Sequence, residues 1–452
     1  MVTIWTPDVS TLNGPAYQRL ANAIARDIDD GQLKPGDRLP PQRELAESLG
    51  TTLGTVTRGY QLAARRGLVT GEVGRGTYVL GGDSDDERGE PLDLSLNALP
   101  PHPFRAALEA RLDGSVAGPR AGLLDYPPRE GRDAHRQSGA AWIGRRGLVV
   151  DPSQVMVTVG AQHALLVAMS ATTRPGDPVL VEEFTYGGVL GAARMLGLQP
   201  VPVAIDTMGL RVDALDAACR TSSARVLVIQ PALHNPTGVT MTSDRRREVL
   251  AVAAREGLTV IEDDTYGFLV PGERPMVIET SGPWAYVTGL SKSLAGGYRT
   301  GFLAVSPDLV DRAQSTLWAS AIAASPISAA LAISLIDDGT ADEIVEWKRR
   351  EARARLRLAR EVLPQVPEAT SAGSPHLWLP LPRPWRAGTF AEAARVRGIL
   401  LGATEGFLAN PAATPRAIRV CLMPPRSRDR LRDALRELAD LAARVPDPQH
   451  TV

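Results

Sequence analysis

Six short apolar runs mark out the middle of this 452-residue chain: 155-VMVTVG-160, 179-VLVEE-183, 225-RVLVIQPA-232, 259-TVIEDD-264, 286-YVTGLS-291 and 302-FLAVS-306. They constrain the fold more than any other feature. Alternating with helical patterns, such runs predict buried strands of a parallel sheet joined by helical crossovers, an α/β class. Open α/β sheets take their ligands beyond the carboxyl ends of the strands. The residues at and after the run ends are therefore the candidates for chemistry: Ala161 and Gln162, Tyr186, Asn235, Asp263, and Ser291 with Lys292. Singly, each has an ordinary explanation, since an Asp after a strand commonly caps a helix, Asn-Pro-Thr-Gly commonly makes a turn and a lone Lys is commonly solvated.

Lysine usage separates Lys292 from that background. Of fifty Lys and Arg residues, only Lys34, Lys292 and Lys348 are lysines. Lys34 falls in a turn and Lys348 in the charged 346-EWKRRE-351, where solvated settings are expected. Lys292 sits among small residues in 286-YVTGLSKSLAGGYRTGFLAV-305. A lysine at a strand end with room around it can form an imine (a Schiff base) with an aldehyde cofactor, which arginine cannot. Pyridoxal 5′-phosphate is such an aldehyde. Its ring nitrogen needs a carboxylate to keep it protonated as an electron sink, and Asp263 fits. Its ring needs a face to stack on, for which Tyr186 is suited. Its phosphate needs donors; 159-VGAQHAL-165 offers backbone N–H groups at a helix start, and Arg299 and Ser291 add charge and a hydroxyl. Lys292 and Asp263 are the catalytic candidates.

The first 80 residues read differently. In 15-PAYQRLANAIARDIDDG-31, Tyr17, Leu20, Ile24 and Ile28 make a helical stripe closed by Gly31. A short helix follows in 41-PQRELAESLG-50, and a third in 52-TLGTVTRGYQLAARRG-67 with Thr52 as its cap. Then 68-LVTGEVGRGTYVL-80 alternates around glycines as a hairpin would. Three helices and a hairpin predict a winged helix-turn-helix. This segment holds nine Lys/Arg against eight Asp/Glu, so its charge is uninformative. Its pattern is not, because Arg43, Thr52, Thr55, Thr57, Arg58 and Arg75 cluster where phosphates and base edges of double-stranded DNA would be met. The polar 81-GGDSDDERGEP-91 reads as a linker, giving domains of 1–80 and 92–452, with a small α+β subdomain over roughly 335–452.

A hydrophobic content of 44% with mixed charge predicts a soluble globular chain. No run reaches the ~18 apolar residues of a membrane span, and MVTIWTPDVSTLNGP lacks the features of a signal peptide, so a cytoplasmic protein is expected. Cys219 and Cys421 stand far apart and the six histidines are scattered, so neither a disulfide framework nor a metal site is expected.

Two resemblances sharpen these expectations. The stretches 36-GDRLPPQRELAESLG-50, 55-TVTRGY-60 and 71-GEVGRGTYV-79 resemble the GntR family of bacterial winged-helix regulators, which implies DNA contacts for Arg43, Thr52 and Gly76. The chain departs from that family at Leu53, where an arginine is usual. From about 92 to 445 it resembles the fold type I pyridoxal-phosphate enzymes related to aspartate aminotransferase, through 160-GAQ-162, Tyr186, 235-NPTG-238, Asp263 with Tyr266, and 291-SK-292 followed by Arg299. That resemblance implies that Asn235 and Tyr266 bond the cofactor's phenolic oxygen. It also implies that Arg419 in 416-RAIRVCL-422 holds an effector's α-carboxylate, and that Tyr126 reaches the phosphate across a dimer interface. A departure falls at Gly289, where a phosphate-binding serine is usual. The combination, with 376-HLWLPLP-382, resembles the MocR subfamily. It implies a homodimeric transcriptional regulator that responds to pyridoxal phosphate or an amino-acid-like effector, with an active aminotransferase as the alternative.

Overall fold

The computed structural model describes residues 5–9, 14–30, 32–34, 36–66, 68–72, 76–79, 91–98, 123–410, 412–413 and 415–444. They form two compact units, one drawn from residues up to 79 and the other from 91 onwards.

The first unit consists of α1 (Ala16–Asp29), α2 (Gln42–Ser48), α3 (Leu53–Arg65) and an antiparallel hairpin of β1 (Val69–Glu72) and β2 (Gly76–Val79). Its core gathers Leu20 and Ile24 from α1, Leu45 from α2, Val56 and Tyr60 from α3 and Val79 from the hairpin. The α1 and α3 helices approach closely at Gly59, where a Cβ would stand 2.7 Å from Leu20 Cδ2. The Tyr60 hydroxyl donates to the Pro40 carbonyl at 2.8 Å, tying α3 to the segment that leads into α2.

The second unit begins with β3 (Leu92–Asp93) and α4 (Asp133–Gly144), then builds its sheet from β4 (Val155–Thr158), β5 (Pro178–Glu182) and β6 (Gln199–Val203). Helices α5 (Ala161–Thr172) and α6 (Gly187–Met195) follow β4 and β5. A small hairpin of β7 (Ile205–Asp206) and β8 (Gly209–Leu210) leads to α7 (Val212–Thr221), β9 (Val226–Ile229), α8 (Ser243–Glu256), β10 (Thr259–Asp263) and β11 (Trp284–Gly289). The four-residue α9 (Leu290–Ser293) precedes β12 (Gly301–Val305), α10 (Val310–Ala321) and α11 (Pro326–Asp337). The C-terminal layer holds α12 (Thr340–Val362), β13 (His376–Pro380), α13 (Ala387–Val396), β14 (Ile399–Leu400), β15 (Ala417–Cys421) and α14 (Arg428–Ala442).

The main sheet runs β4-β12-β11-β10-β9-β5-β6. Six strands share one direction, and β12 pairs antiparallel with both neighbours. The expectation that 302-FLAVS-306 would extend a parallel sheet is thereby corrected: only about ten residues separate it from β11, too few for a helical crossover. The sheet is mixed, with its parallel pairs in the majority. The edge strand β6 was not foreseen, because the prolines in 199-QPVPV-203 argue against a strand anywhere but at an edge. One face of the sheet is covered by a core that includes Leu165, Met169, Val181, Val228, Ile261 and Leu303.

The C-terminal layer has its own core, in which Leu94 joins Leu356, Leu377, Phe390, Ile418 and Leu435. Pairing of β3 with β14 holds residues 91–98 to this layer. Among the described residues no helix is long and apolar enough to cross a membrane.

Candidate functional site

Because six strands point the same way, the carboxyl ends of β4, β5, β9, β10 and β11 open on one edge of the sheet. That edge brings together most of the candidate residues. Asp263 ends β10 with its carboxylate buried, accepting from Gln230 Nε2 at 2.6 Å, from the Thr265 N–H at 3.0 Å and from the Thr265 hydroxyl. Burial pushes its pKa up, and the bonds from Thr265 and Gln230 pull it back. Tyr186 caps α6 and feels the charges of Asp263, Arg299 and Arg419, with burial pushing its phenol up.

Lys292 lies in α9, and its Nζ donates to the Asn97 carbonyl at 2.5 Å. Burial, reinforced by the fields of Arg419 and Arg299, lowers its pKa from 10.5 to about 8. At pH 7 about one such amine in ten is neutral and nucleophilic, against about one in three thousand for an ordinary lysine. The rate at which the protein takes up a pyridoxal aldehyde is therefore expected to rise steeply from pH 7 and level off above about 8. An ordinary lysine would keep gaining to beyond pH 10, and a stopped-flow pH profile separates the two.

The phosphate candidates converge at the start of α5. Gly160 precedes the helix at φ 79°, and a Cβ there would stand 2.9 Å from Arg299 Nη2, so glycine lets the guanidinium lie over the helix terminus. Arg299 is itself held at φ 45°, uncommon for a side-chain-bearing residue, and bonds Ser291 Oγ at 3.3 Å. Gln162 donates to the Gly188 carbonyl at 2.9 Å, while its Oε1 is buried without a partner among the described residues. The departure at Gly289 acquires a structural reason. Gly289 and Gly301 pair across β11 and β12, and Cβ atoms there would stand 3.0 Å from Ala161 Cβ and 2.6 Å from the Gly160 carbonyl carbon. The paired glycines let the N-terminus of α5 dock on the sheet, and a serine at 289 would have to push Ala161 away.

Asn235 and Tyr266 are both buried. The Asn235 N–H donates to Gln230 Oε1 at 3.3 Å, and its Oδ1 accepts from Arg419 Nη1 at 2.9 Å. Arg419 also donates to the Ser95 carbonyl and lies over the Phe407 ring at 4.6 Å, with its Nε buried and unpartnered among the described residues. A buried polar atom without a partner calls for an explanation, and a bound ligand supplies one here. The amine, the buried carboxylate, the aromatic face and the glycine-lined helix terminus fit pyridoxal phosphate. Among the described residues no group of side chains could hold a metal ion.

Three residues of the site were missed from sequence. Gln230 bridges Asp263 and Asn235. Asn97 donates through Nδ2 to both the Tyr266 hydroxyl and His376 Nδ1, each at 2.9 Å, besides accepting from Lys292. His376 Nε2 faces the His234 carbonyl at 3.1 Å, so Nε2 carries the proton and Nδ1 accepts, and burial with the charge of Arg419 pushes its pKa down to about 3. A scattered histidine thus becomes a neutral prop for Tyr266. Only the signal at Gln230, a polar residue at the end of an apolar run, was there to be read.

Tyr126 is not brought to this site within one chain: it is 88% exposed, beside the equally exposed Leu124 and near Ile322 and Ile327. Lys348, expected in solvent, is 1% exposed, which corrects that expectation. The neighbouring charges of 346-EWKRRE-351 turn outward or pair, while the helical period turns Lys348 inward.

In the first unit Arg43 and Arg58 are exposed. Thr52 caps α3, its Oγ1 accepting from the Thr55 N–H at 3.2 Å and lying 2.9 Å from Thr55 Oγ1. Thr57 donates to Gln42 Oε1 at 2.7 Å, so its hydroxyl proton joins α3 to α2. Gly76 has φ 126°, and a Cβ there would stand 2.7 Å from Arg38 Nε, so the glycine admits the exposed Arg38 beside the wing. Arg38 is a further cation of this face that the sequence pattern did not single out. Arg75 lies outside the described residues.

A winged helix in one unit and a pyridoxal-phosphate site in the other define a regulator fused to an aminotransferase-like domain. The chain belongs to the aminotransferase class I and II family, whose pattern matches residues 89–438, and carries at residues 16–79 a domain of the bacterial regulatory proteins of the gntR family, together the MocR arrangement. It is similar to the uncharacterized HTH-type transcriptional regulator YdeF of Bacillus subtilis (strain 168), at 28% identity over 95% of each chain. It is also similar to the vitamin B6 salvage pathway transcriptional repressor PtsJ of Salmonella typhimurium, at 26% identity over 91% of this chain and 95% of that one. The fold matches that of LysN, the α-aminoadipate aminotransferase of Thermus thermophilus, with a TM-score of 0.70 and 24% identity over 78% of this chain and 92% of that one. The cofactor of the large domain is pyridoxal phosphate.

Proposed function

We propose that the large domain senses an amino-acid-like effector, or pyridoxal phosphate itself, through Lys292, and that the outcome changes the affinity of the winged helix for its operator. The protein is a pyridoxal-phosphate-dependent transcriptional regulator of GntR type. The observation that carries the reading is the convergence of Lys292, Asp263 and Arg419 on one sheet edge in a chain that also holds a winged helix. When bound, the cofactor supplies an aldehyde and an electron-withdrawing ring. The chain does the rest in this reading: Lys292 tethers, Asp263 keeps the ring nitrogen protonated and Tyr186 stacks. Ala161 and Gln162 on α5, with Ser291 and Arg299, hold the phosphate, Asn235 and Tyr266 face the phenolic oxygen, and Arg419 takes a carboxylate. An effector amine competing with Lys292 would favour one of two arrangements of the protein over the other.

We assign domain limits of 1–80 and 92–452 around a linker, with the small subdomain over roughly 335–452, and a cytoplasmic setting. The homodimer of this reading forms through the large domain. Support comes from the exposed apolar patch of Leu124, Tyr126, Ile322 and Ile327. At its tip Ile322 adopts φ 62°, ψ −64°, a strained γ-turn closed by a bond from the Ala323 N–H to the Ala321 carbonyl. A β-branched residue held so in solvent is accounted for when a partner subunit covers it and presents Tyr126 in exchange.

The test is binding of the purified chain to DNA from upstream of its own gene, with and without cofactor and with a panel of amino acids. A change of about 5- to 150-fold in affinity is expected, the usual span of coupling between sites. Arg43→Ala and Arg58→Ala are each expected to weaken that binding by about 1–3 kcal/mol, which a gel-shift titration measures. Sustained transamination of amino-acid and keto-acid pairs with no specific DNA bound would instead establish the aminotransferase reading, which the depressed pKa of Lys292 keeps chemically open.

A further inference from the structure

Lys348 sits in the third turn of α12, 1% exposed, and its Nζ donates to the carbonyls of Lys292, at 3.2 Å, and Leu294. Those carbonyls close the four-residue α9, and Leu294, at φ −115° and ψ −88°, ends the helix without a following turn to satisfy them. No carboxylate pairs with Lys348 among the described residues. The acid one turn on, Glu351, is engaged by Arg355 at 2.5 Å and by Arg428 at 2.6 Å. Burial together with the charge of Lys292 pushes the Lys348 amine well below its ordinary range.

Two turns further along α12, the buried Arg355 Nη1 donates to the carbonyls of Leu422, Met423 and Pro425, at 2.8 to 3.1 Å. These follow directly on β15, the strand that carries Arg419. The same face of α12 therefore grips the turn that bears the tethering amine and the segment just beyond the carboxylate-binding arginine.

We propose that Lys348 is a positioning residue, fastening the Lys292 turn to α12 so that α12 acts as a strut between Lys292 and the Arg419 strand. A shift of the C-terminal layer around a seated effector is then delivered to Lys292 directly. The inference rests on the reading of Lys292 as the tether, but its test does not involve DNA and can fail separately.

With three lysines in the chain, competitive labelling of the cofactor-free protein by acetic anhydride across pH, read by mass spectrometry, resolves each amine. In the unaltered protein Lys292 should titrate near about 8, and Lys348 should resist the reagent. In Lys348→Met the freed turn lets water reach Lys292, so its midpoint should rise by about one unit and its labelling at pH 7 fall about tenfold. Amides of 290–296 should exchange faster, and Lys348→Arg, which restores the donors, should return both readouts toward the original. A lysine that merely adds stability would leave the Lys292 midpoint where it was. An unchanged midpoint with unchanged exchange in the methionine variant overturns the proposal. Should that variant not fold, hydrogen exchange on the unaltered protein decides: segments 290–296 and 345–350 should gain protection together on adding pyridoxal phosphate, and independent behaviour overturns the strut.

Discussion

Lys292→Ala is expected to abolish the visible absorbance of the tethered cofactor and, with it, every response of DNA binding to amino acids. The effect should be all-or-none for the covalent link, because the lysine beside it cannot take its place: Lys348 is locked into two backbone carbonyls. Asp263, Arg299 and the start of α5 are untouched by the substitution, so weak, dialysable cofactor binding should persist. Lys292→Arg separates charge from chemistry. It keeps a cation in the pocket but cannot form the bond, and so should behave like alanine in the spectrum. A spectrum retained in either variant would mean that Lys292 is not the tether.

Arg419→Ala is expected to do the converse. Cofactor loading and the spectrum should survive, since Arg419 bonds Asn235 and the Ser95 carbonyl rather than Asp263 or the start of α5. Affinity for an amino-acid effector should fall by about 2–5 kcal/mol, the range for removing one partner of a buried, hydrogen-bonded charge pair. At the lower end this is roughly a thirtyfold loss. The measurement is the effector concentration at which operator affinity changes. An undiminished response would show that the effector lacks a carboxylate, or that it is pyridoxal phosphate alone. Removing the Arg419 guanidinium also removes one of the charges that depress Lys292, so the Lys292 midpoint should move upward from about 8.

How much of this was legible beforehand follows from the range of each interaction. The strands β4, β5, β9, β10 and β11 are continuous buried runs, and a hydrophobic run is a local signal. Asp263, Asn235 and Lys292 could be nominated because a strand end is itself a sequence position. The reversed β12 could not be read from its composition, since a buried strand is equally apolar in either direction; only its short connection told against a parallel partner. The prolines that make β6 an edge strand also hid it. The hairpin and helices of the first unit were legible for the same reason as the strands, caps and stripes being local. Arg38, by contrast, joins its face through a bridge to Tyr78 and the space that Gly76 leaves.

Lys348 and Asn97 mark the boundary most sharply. Nothing adjacent in sequence distinguishes Lys348 from the arginines that follow it, and its burial is a consequence of which face of α12 meets the Lys292 turn, 56 residues away. Asn97 reaches Tyr266 from a separation of 169 residues and His376 from 279. By itself the sequence determined the two-part architecture, the strand ends at which chemistry would gather and the cofactor that a nearly lysine-free chain with one well-placed lysine would hold. The tertiary structure alone decided how that lysine is held, which amides and histidine prop its neighbours, and that Lys348 is buried against its turn. Those outcomes depend on desolvation and on contacts between distant segments, and both arise only when the chain closes on itself.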